Sequence, residues 1–287
     1  MYFRGFKTCL AFALAAIVAG AQAGEVVSDK LDSRTLGRSL PFTVYLPDGY
    51  YDSFDKFPVI YLLHGSGGDE HVWINYAGAR ETLDGLIRRG EIEPVIAVMP
   101  AGESSWWVDG SAAKIQTALA TELIPYVEKQ YKAKNDRRHR AIAGISMGGF
   151  GALNLSLRHP ELVCAAGLLS PAVQASPPET SSARGSSGQF EENSKFSAPL
   201  WTAQSYPALL AGYKEKKQIV PMFISSGDHD SDVTPVVTAS LYEALYIIQP
   251  KQVELRIVDG AHEWMTFRDA LPEARKYIDR QCGFKKP

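Results

Sequence analysis

The sequence predicts an α/β fold with a mostly parallel, buried sheet covered by helices on both faces. Two observations support this class. Short apolar runs recur along the chain and alternate with segments of helical periodicity, which is the order of βαβ units. The runs are continuously apolar rather than alternating, as in strands that are buried on both faces. With 287 residues, 45% of them hydrophobic and 22% charged, the chain is long enough for one sizeable domain.

Six apolar runs are predicted as the inner strands. They occupy residues 57–65, 94–100, 139–146, 162–170, 220–227 and 252–260. An earlier run, "SLPFTVYLPDGY" (39–50), alternates apolar and polar residues, which predicts an antiparallel strand at the edge of the sheet.

Helical patterns lie between these runs. They are "ARETLDGLIRRG" (79–90), "KIQTALATELIPYVEKQY" (114–131), "GGFGALNLSLRHP" (148–160), "ASLYEALYII" (239–248) and "LPEARKYIDRQ" (271–281). One long connection, about 172–221, breaks the alternation with Pro, Ser and Gly clusters. A connection of this length predicts a lid-like insertion, with its 201–213 part folding over a site.

The first 23 residues are typical of a cleaved export signal. Arg4 and Lys7 precede a 13-residue apolar run that ends near Ala21-Gln22-Ala23. Because a bilayer-spanning helix needs about 20 residues, a retained anchor is disfavoured. We expect cleavage after Ala23, which leaves residues 24–287 as a single secreted or periplasmic domain without stable membrane insertion.

Net charge bears on the binding partner, and the cysteines bear on whether a disulfide forms. The formal net charge is −2, with no concentrated basic face, so a nucleic-acid partner is not expected. After loss of the signal, Cys164 and Cys282 remain. Cys164 lies in a predicted inner strand and Cys282 follows the last helix, so we expect two unpaired thiols.

The stretch "AGISMGGFGAL" contains the strongest chemical signal. Gly144, Ser146 and Gly148 form G-x-S-x-G directly between a predicted strand and a predicted helix. Such a sharp turn presents the serine hydroxyl above the sheet edge, beside a helix start that favours negative charge. Ser146 is therefore the candidate nucleophile.

A serine nucleophile needs a base and an orienting carboxylate, which follow it in the chain in sheets of this kind. His159 ends the nucleophile helix and is expected to cap it, whereas His229 lies in the acidic turn "GDHDSD". His262 follows the last predicted strand and is the candidate base. The pattern alone leaves the acid open between Asp228, Asp230 and Asp232.

The oxyanion of an acyl-transfer intermediate needs two backbone N–H donors. The sequence offers Met147, directly after the nucleophile, and a residue in "HGSGG" (64–68). A phosphate-binding loop is disfavoured because G-x-G-x-x-G and Gly-Lys-Ser/Thr are absent. A zinc hydrolase is disfavoured because "HEWMT" has Thr266 where H-E-x-x-H needs its second histidine.

Together these segments resemble the putative-esterase family of α/β-hydrolases, which includes esterase D-like enzymes, feruloyl esterases and mycolyltransferases. The resemblance covers roughly residues 36–281 and is nearest to the feruloyl-esterase-like, carbohydrate-esterase branch. It is carried by "VYLPDGY", "FPVIYLLHGSGGDEHVW", "LIRRGEIEPVIAVMPAG", "SSWW", "TELIPYVEKQY", "AGISMGGFGAL", "SSGDHD" and "GAHEW".

The resemblance implies roles that the pattern leaves open. Asp230, three residues after Gly227, takes the position of the family's acid, and Ser66 that of the second oxyanion donor. His262 lies in a G-x-H-x-W stretch that ends at Trp264. The substrate-binding candidates are His64, Gly65, Trp106, Trp107 and Trp264; Trp107 stands where many relatives carry Tyr.

The function predicted from these residues is that of an exported serine carboxylesterase with a Ser-His-Asp triad. It would need no metal or organic cofactor and would act on feruloyl, cinnamoyl or small acyl esters of sugars or alcohols. The alternatives are an acyltransferase of the mycolyltransferase type, a siderophore or lactone esterase, and a non-catalytic binding module. The oligomeric state is not predicted.

Overall fold

Strands β3 to β6, β9 and β10 form the parallel centre of an eight-stranded sheet in the computed structural model, which describes residues 23–179, 182–184 and 188–284. The strands, in chain order, are β1 (Glu25–Ser33), β2 (Arg38–Leu46), β3 (Val59–Leu63), β4 (Ile96–Pro100), β5 (Arg140–Ile145), β6 (Ala166–Leu169), β7 (Glu191–Glu192), β8 (Lys195–Phe196), β9 (Met222–Gly227) and β10 (Val253–Val258). The order across the sheet is β1-β2-β4-β3-β5-β6-β9-β10, and β7 pairs separately with β8. The predicted fold class is confirmed.

Helices cover both faces of this sheet. They are α1 (Val72–Asn75), α2 (Ala79–Arg88), α3 (Ile115–Ala118), α4 (Ile124–Gln130), α5 (Met147–Arg158), α6 (Ala198–Gln204), α7 (Tyr206–Glu215), α8 (Pro235–Ile248) and α9 (Trp264–Cys282). One apolar core contains buried side chains of α3, α4, α5 and α8, and the other contains those of α2 and α9. Within the described residues, no helix is both long and apolar enough to cross a membrane.

Three element predictions need correction. The strand predicted at 39–50 is β2, antiparallel to β4, but β1 pairs along its other side from Glu25↔Leu46 to Ser33↔Arg38 and is the true edge. The segment "EVVSDKLDS" was not predicted as a strand because many of its residues are polar. Polar residues are expected there, since an edge strand is largely solvated. The segment predicted as one helix at 114–131 is α3 and α4 joined by a π-helical turn, Leu119–Leu123. Helix α9 begins at Trp264, seven residues before its predicted start.

The prediction of two free cysteines is wrong. Cys164 lies just before β6 rather than inside it, and α9, which packs across β6, ends at Cys282. This packing brings the two Cα atoms to 5.3 Å, and the sulfur atoms form a disulfide.

The insertion packs mainly on the body of the fold. Trp201 of α6 is fully buried against Trp106 and Phe150, with ring centroids 5.2 and 5.3 Å away, and α7 contacts α5. The 201–213 part therefore lies against α5 and does not line the pocket described below. The predicted signal, residues 1–23, lies outside the described residues except for Ala23.

Candidate active site

Three strands end at the same edge of the sheet, and each is followed by one of the predicted triad residues. Ser146 directly follows β5, Asp230 follows β9 and His262 follows β10. These strands are parallel, so their carboxyl ends lie side by side, which is where sites form in sheets of this kind.

The turn at Ser146 is sharp and tightly packed. Ser146 has φ of 55° and ψ of −116°, in the positive-φ region that residues with side chains rarely adopt. Glycine is required on both sides: a Cβ at Gly144 would collide with the Gly148 carbonyl, and a Cβ at Gly148 would collide with the Leu63 carbonyl. The turn is held because the Ser146 N–H donates to the Leu169 carbonyl at 2.9 Å.

A continuous hydrogen-bonded chain joins the three side chains. His262 Nδ1 lies 2.8 Å from Asp230 Oδ2, and His262 Nε2 lies 2.9 Å from Ser146 Oγ. Because the ionised carboxylate can only accept, Nδ1 carries the proton and Nε2 is free to accept the Ser146 hydroxyl proton. The structure thus brings Ser146, His262 and Asp230 together in the arrangement that activates a serine.

The geometry distinguishes Asp230 from the two aspartates beside it. The Asp230 side chain is fully buried, and its Oδ1 accepts the Val233 N–H at 2.7 Å and the Asp232 N–H at 3.1 Å. Burial alone would raise the pKa of Asp230, but the hydrogen bonds from His262 and Val233 outweigh it and hold the pKa below its usual value. Asp228 instead accepts the Gly260 N–H at 3.1 Å, and so fixes the loop that carries His262.

Two candidate backbone donors, Met147 and Ser66, line the pocket that contains Ser146. Met147 is the first residue of α5, and amides in the first turn of a helix have no intrahelical acceptor. Ser66 lies in the turn after β3 and, like Met147, lines the same pocket as Ser146. The family resemblance predicts that these two N–H groups form the oxyanion hole.

His64 and Trp107 lie behind this turn rather than in the pocket wall. Both are buried, at 0% and 1% exposure. The Trp107 indole N–H donates to the His64 carbonyl at 3.0 Å, and His64 Nε2 accepts the Gly102 N–H at 2.9 Å. The proton of His64 is therefore on Nδ1, which donates to the Gly65 carbonyl at 2.7 Å.

This network orients the Gly65–Ser66 peptide. In a trans peptide the C=O and the following N–H point in opposite directions, so holding the Gly65 carbonyl on His64 turns the Ser66 N–H away from it. Burial lowers the pKa of His64, against a smaller opposite effect of the Gly65 carbonyl, so the ring stays neutral. His64 and Trp107 thus hold the Gly65–Ser66 peptide from behind and do not line the pocket.

The three remaining substrate-binding candidates line a pocket of about 1000 Å³ above Ser146: Gly65, Trp106 and Trp264. Trp264 stacks on Tyr76 with ring centroids 5.3 Å apart, and both rings are partly exposed at the rim. Three residues that the sequence did not predict also line the pocket: Tyr76, Gln174 and Phe267. No motif marks Tyr76 or Gln174; Phe267 follows the predicted Trp264 by one helical turn.

A group of possible metal ligands lies near the triad but outside it. Asp228, His229 and Asp259 bring their ligand atoms within 4.8 Å of one another, and all three residues are exposed. His229 Nδ1 lies 2.7 Å from Asp228 Oδ1, which already accounts for this proximity by an ordinary surface ion pair.

Comparison with known proteins places this geometry in context. A solved ferulic acid esterase superposes with a TM-score of 0.77 at 29% identity, covering 90% of this chain and 98% of that one. An endo-1,4-beta-xylanase/feruloyl esterase of Xylanibacter ruminicola is 37% identical over 147 residues, and an esterase of Mycobacterium tuberculosis is 30% identical over 137. These matches span 48% and 45% of this chain but only 20% and 28% of the two relatives.

The family model described as "Putative esterase" matches residues 33–278, a range that contains all the strands of the main sheet except most of β1, together with the Ser146, Asp230 and His262 loops. The chain belongs to this esterase family, and its fold is that of the α/β-hydrolases.

Proposed function

We propose that this protein is a serine carboxylesterase. The observation that carries the proposal is the hydrogen-bonded chain from Asp230 through His262 to the Ser146 hydroxyl, at the floor of an open pocket. Family membership and the likeness to a ferulic acid esterase support the same activity.

The geometry supports a two-step acyl transfer. His262 Nε2 takes the proton from Ser146 Oγ as the oxygen attacks the ester carbonyl, and the Met147 and Ser66 amides stabilise the oxyanion. One such donor typically lowers the barrier by about 3 kcal/mol. His262 then returns the proton to the leaving alcohol, and the same base activates the water that releases the acid. Asp230 stays ionised throughout and holds the imidazole orientation.

The proposed substrates are esters of feruloyl or related cinnamoyl acids with sugars or alcohols. The names of the relatives support this class, and so does the pocket wall, where Trp106, Trp264 and Phe267 offer apolar surface for an aromatic acyl group. The described residues that line the pocket include no Lys or Arg, which suits a neutral ester better than an anionic one.

Export of the enzyme is part of the proposal. The first 23 residues have the charge and apolar pattern of a cleaved signal, and the Cys164–Cys282 disulfide is typical of proteins in oxidising compartments. A secreted or periplasmic site agrees with both observations.

The test uses the chain from Gly24 onward, with Ser146→Ala and the surface variant Ser240→Ala as a matched control. Each is incubated with methyl ferulate, with short- and long-chain aryl esters, and with an ester plus a sugar acceptor, and products are identified by mass spectrometry. We expect free acid from the wild type and Ser240→Ala, and none above background from Ser146→Ala.

The other outcomes would contradict parts of the proposal. Acyl-sugar without free acid would make the protein an acyltransferase. Turnover by Ser146→Ala close to wild type would remove Ser146 as the nucleophile. No product from any ester would contradict the esterase proposal for these acyl classes.

A further inference from the structure

The residue after the predicted cleavage point is buried at the start of the sheet. Gly24 immediately precedes β1 and is buried, whereas Ala23 is exposed. The Gly24 nitrogen donates to Asp84 Oδ1 at 3.0 Å, and Asp84, on α2, is only 8% exposed. Burial therefore changes across the Ala23–Gly24 bond, from an exposed Ala23 to a buried Gly24.

Only glycine fits at this position. A Cβ on Gly24 would collide with the Tyr45 ring and would lie 2.7 Å from the Leu46 carbonyl oxygen. The Gly24 nitrogen is therefore held close to the carboxylate by packing from β2 as well as by its hydrogen bond.

Among the described residues, the only salt bridge of the buried carboxylate is a long one, to Arg80. Tyr45 donates its hydroxyl to the same oxygen at 2.8 Å, and burial, then the bond to Asp84, raises the pKa of Tyr45, so this donor is neutral. The guanidinium of Arg80 is 3.9 Å from Oδ2, and its side chain is 41% exposed. A buried carboxylate is costly without a charged, hydrogen-bonded partner.

We propose that a signal peptidase hydrolyses the Ala23–Gly24 bond and that the new α-ammonium of Gly24 forms a buried ion pair with Asp84. Water adds across the peptide bond, leaving a carboxylate on Ala23 and an amine on Gly24 that takes up a proton. The hydrogen bond already present then becomes charge-assisted, and such bonds are roughly twice as strong as neutral ones.

This ion pair ties the first residue of the mature chain to α2 at the edge of the sheet. Strand β1 pairs with β2 alone and is mostly only partly buried, so this anchor adds to the pairing at its start. Because the uncleaved chain has a neutral amide at Gly24, the full stability of the fold appears only after cleavage. The exported enzyme is therefore more stable than its precursor.

Six chains test the ion pair: one that starts at Gly24 and one that starts at Ala23, each with the wild-type sequence, with Asp84→Asn or with Asp48→Asn. A traceless protease cut supplies both termini. We expect the Gly24 chain to melt about 3 °C or more above the Ala23 chain. The difference should disappear in Asp84→Asn and persist in Asp48→Asn, a matched control that removes a nearby carboxylate not bonded to Gly24. Equal melting temperatures with Asp84 intact would overturn the ion pair.

Two further measurements apply even where Asp84→Asn does not fold. Export of the full chain, followed by mass spectrometry of the mature protein, should give an N-terminal peptide that begins at Gly24; any other terminus would overturn the cleavage site. In the folded Gly24 chain, acetylation of the α-amine should be about ten-fold or more slower than in the urea-unfolded chain, and an equal rate would overturn its burial. Both readouts are independent of ester hydrolysis, so they stand apart from the proposed function.

Discussion

Ser146 is held in a backbone conformation that costs free energy, typically about 1–3 kcal/mol for a residue with a side chain. The bond from its N–H to Leu169 and the start of α5 hold it there. The result is that Oγ meets His262 at hydrogen-bond distance while the Met147 amide remains available to an oxyanion. The strained conformation of Ser146 thus serves to place its Oγ atom.

Asp230 and Asp228, which both follow β9, should differ sharply in function. Asp230→Asn should lower kcat by about 10⁴-fold, because an amide in place of the carboxylate favours the wrong imidazole tautomer. Asp228→Asn should lower kcat by less than about ten-fold, since Asp228 bonds only to the loop backbone at Gly260 and to His229.

The measurement is steady-state kinetics on the best ester, with circular dichroism to show that both variants fold. A reversed order, with Asp228→Asn the more damaged enzyme, would make Asp228 the acid.

At the scale of elements, α9 is joined to the site at one end and to the core at the other. It begins at Trp264, two residues after His262, and ends at Cys282. Its last residue is disulfide-bonded to Cys164, which lies just before β6. This bond is at the N-terminal end of the strand, whereas the triad lies at the carboxyl ends of the strands. The disulfide therefore fixes the helix whose first turn, with Trp264 and Phe267, forms part of the pocket wall.

Removing the disulfide should lower stability but leave the chemistry intact. Cys164→Ala/Cys282→Ala should unfold with a free energy about 2–4 kcal/mol lower than wild type, because the bond closes a long loop, with a sequence separation of 118. Urea unfolding measures the change, and kcat at 25 °C should stay within about two-fold, since neither cysteine contacts the triad.

Wild-type protein treated with a thiol reductant is the companion sample and should match the double variant. Two freely titrating thiols in the untreated, folded protein would contradict the pairing.

At the scale of the whole molecule, the sequence predicted the inner strands and the order of the triad because both leave local signals. Continuous apolar runs mark β3 to β6, β9 and β10, and G-x-S-x-G marks the nucleophile turn. The acid was assigned to Asp230 only through the family resemblance, because three aspartates in one turn have the same local pattern.

Other features depend on contacts between distant parts of the chain, which no local pattern records. The polar segment β1 forms a strand only because it pairs with β2. The two cysteines are close enough to bond only because α9 packs across β6. His64 and Trp107 are residue types that often line pockets. In the structure, however, their hydrogen bonds hold both side chains behind the Gly65–Ser66 peptide.

The most direct test of the central claim is covalent labelling of the folded Gly24–Pro287 chain with a fluorophosphonate, followed by tryptic mass spectrometry. We expect one adduct, on the peptide spanning residues 141–158, with the phosphoryl group on Ser146 rather than Ser156. His262→Ala should slow this labelling by at least about 100-fold, and Ser146→Ala should abolish it. An adduct on another residue, or unchanged labelling of Ser146→Ala, would contradict Ser146 as the activated nucleophile.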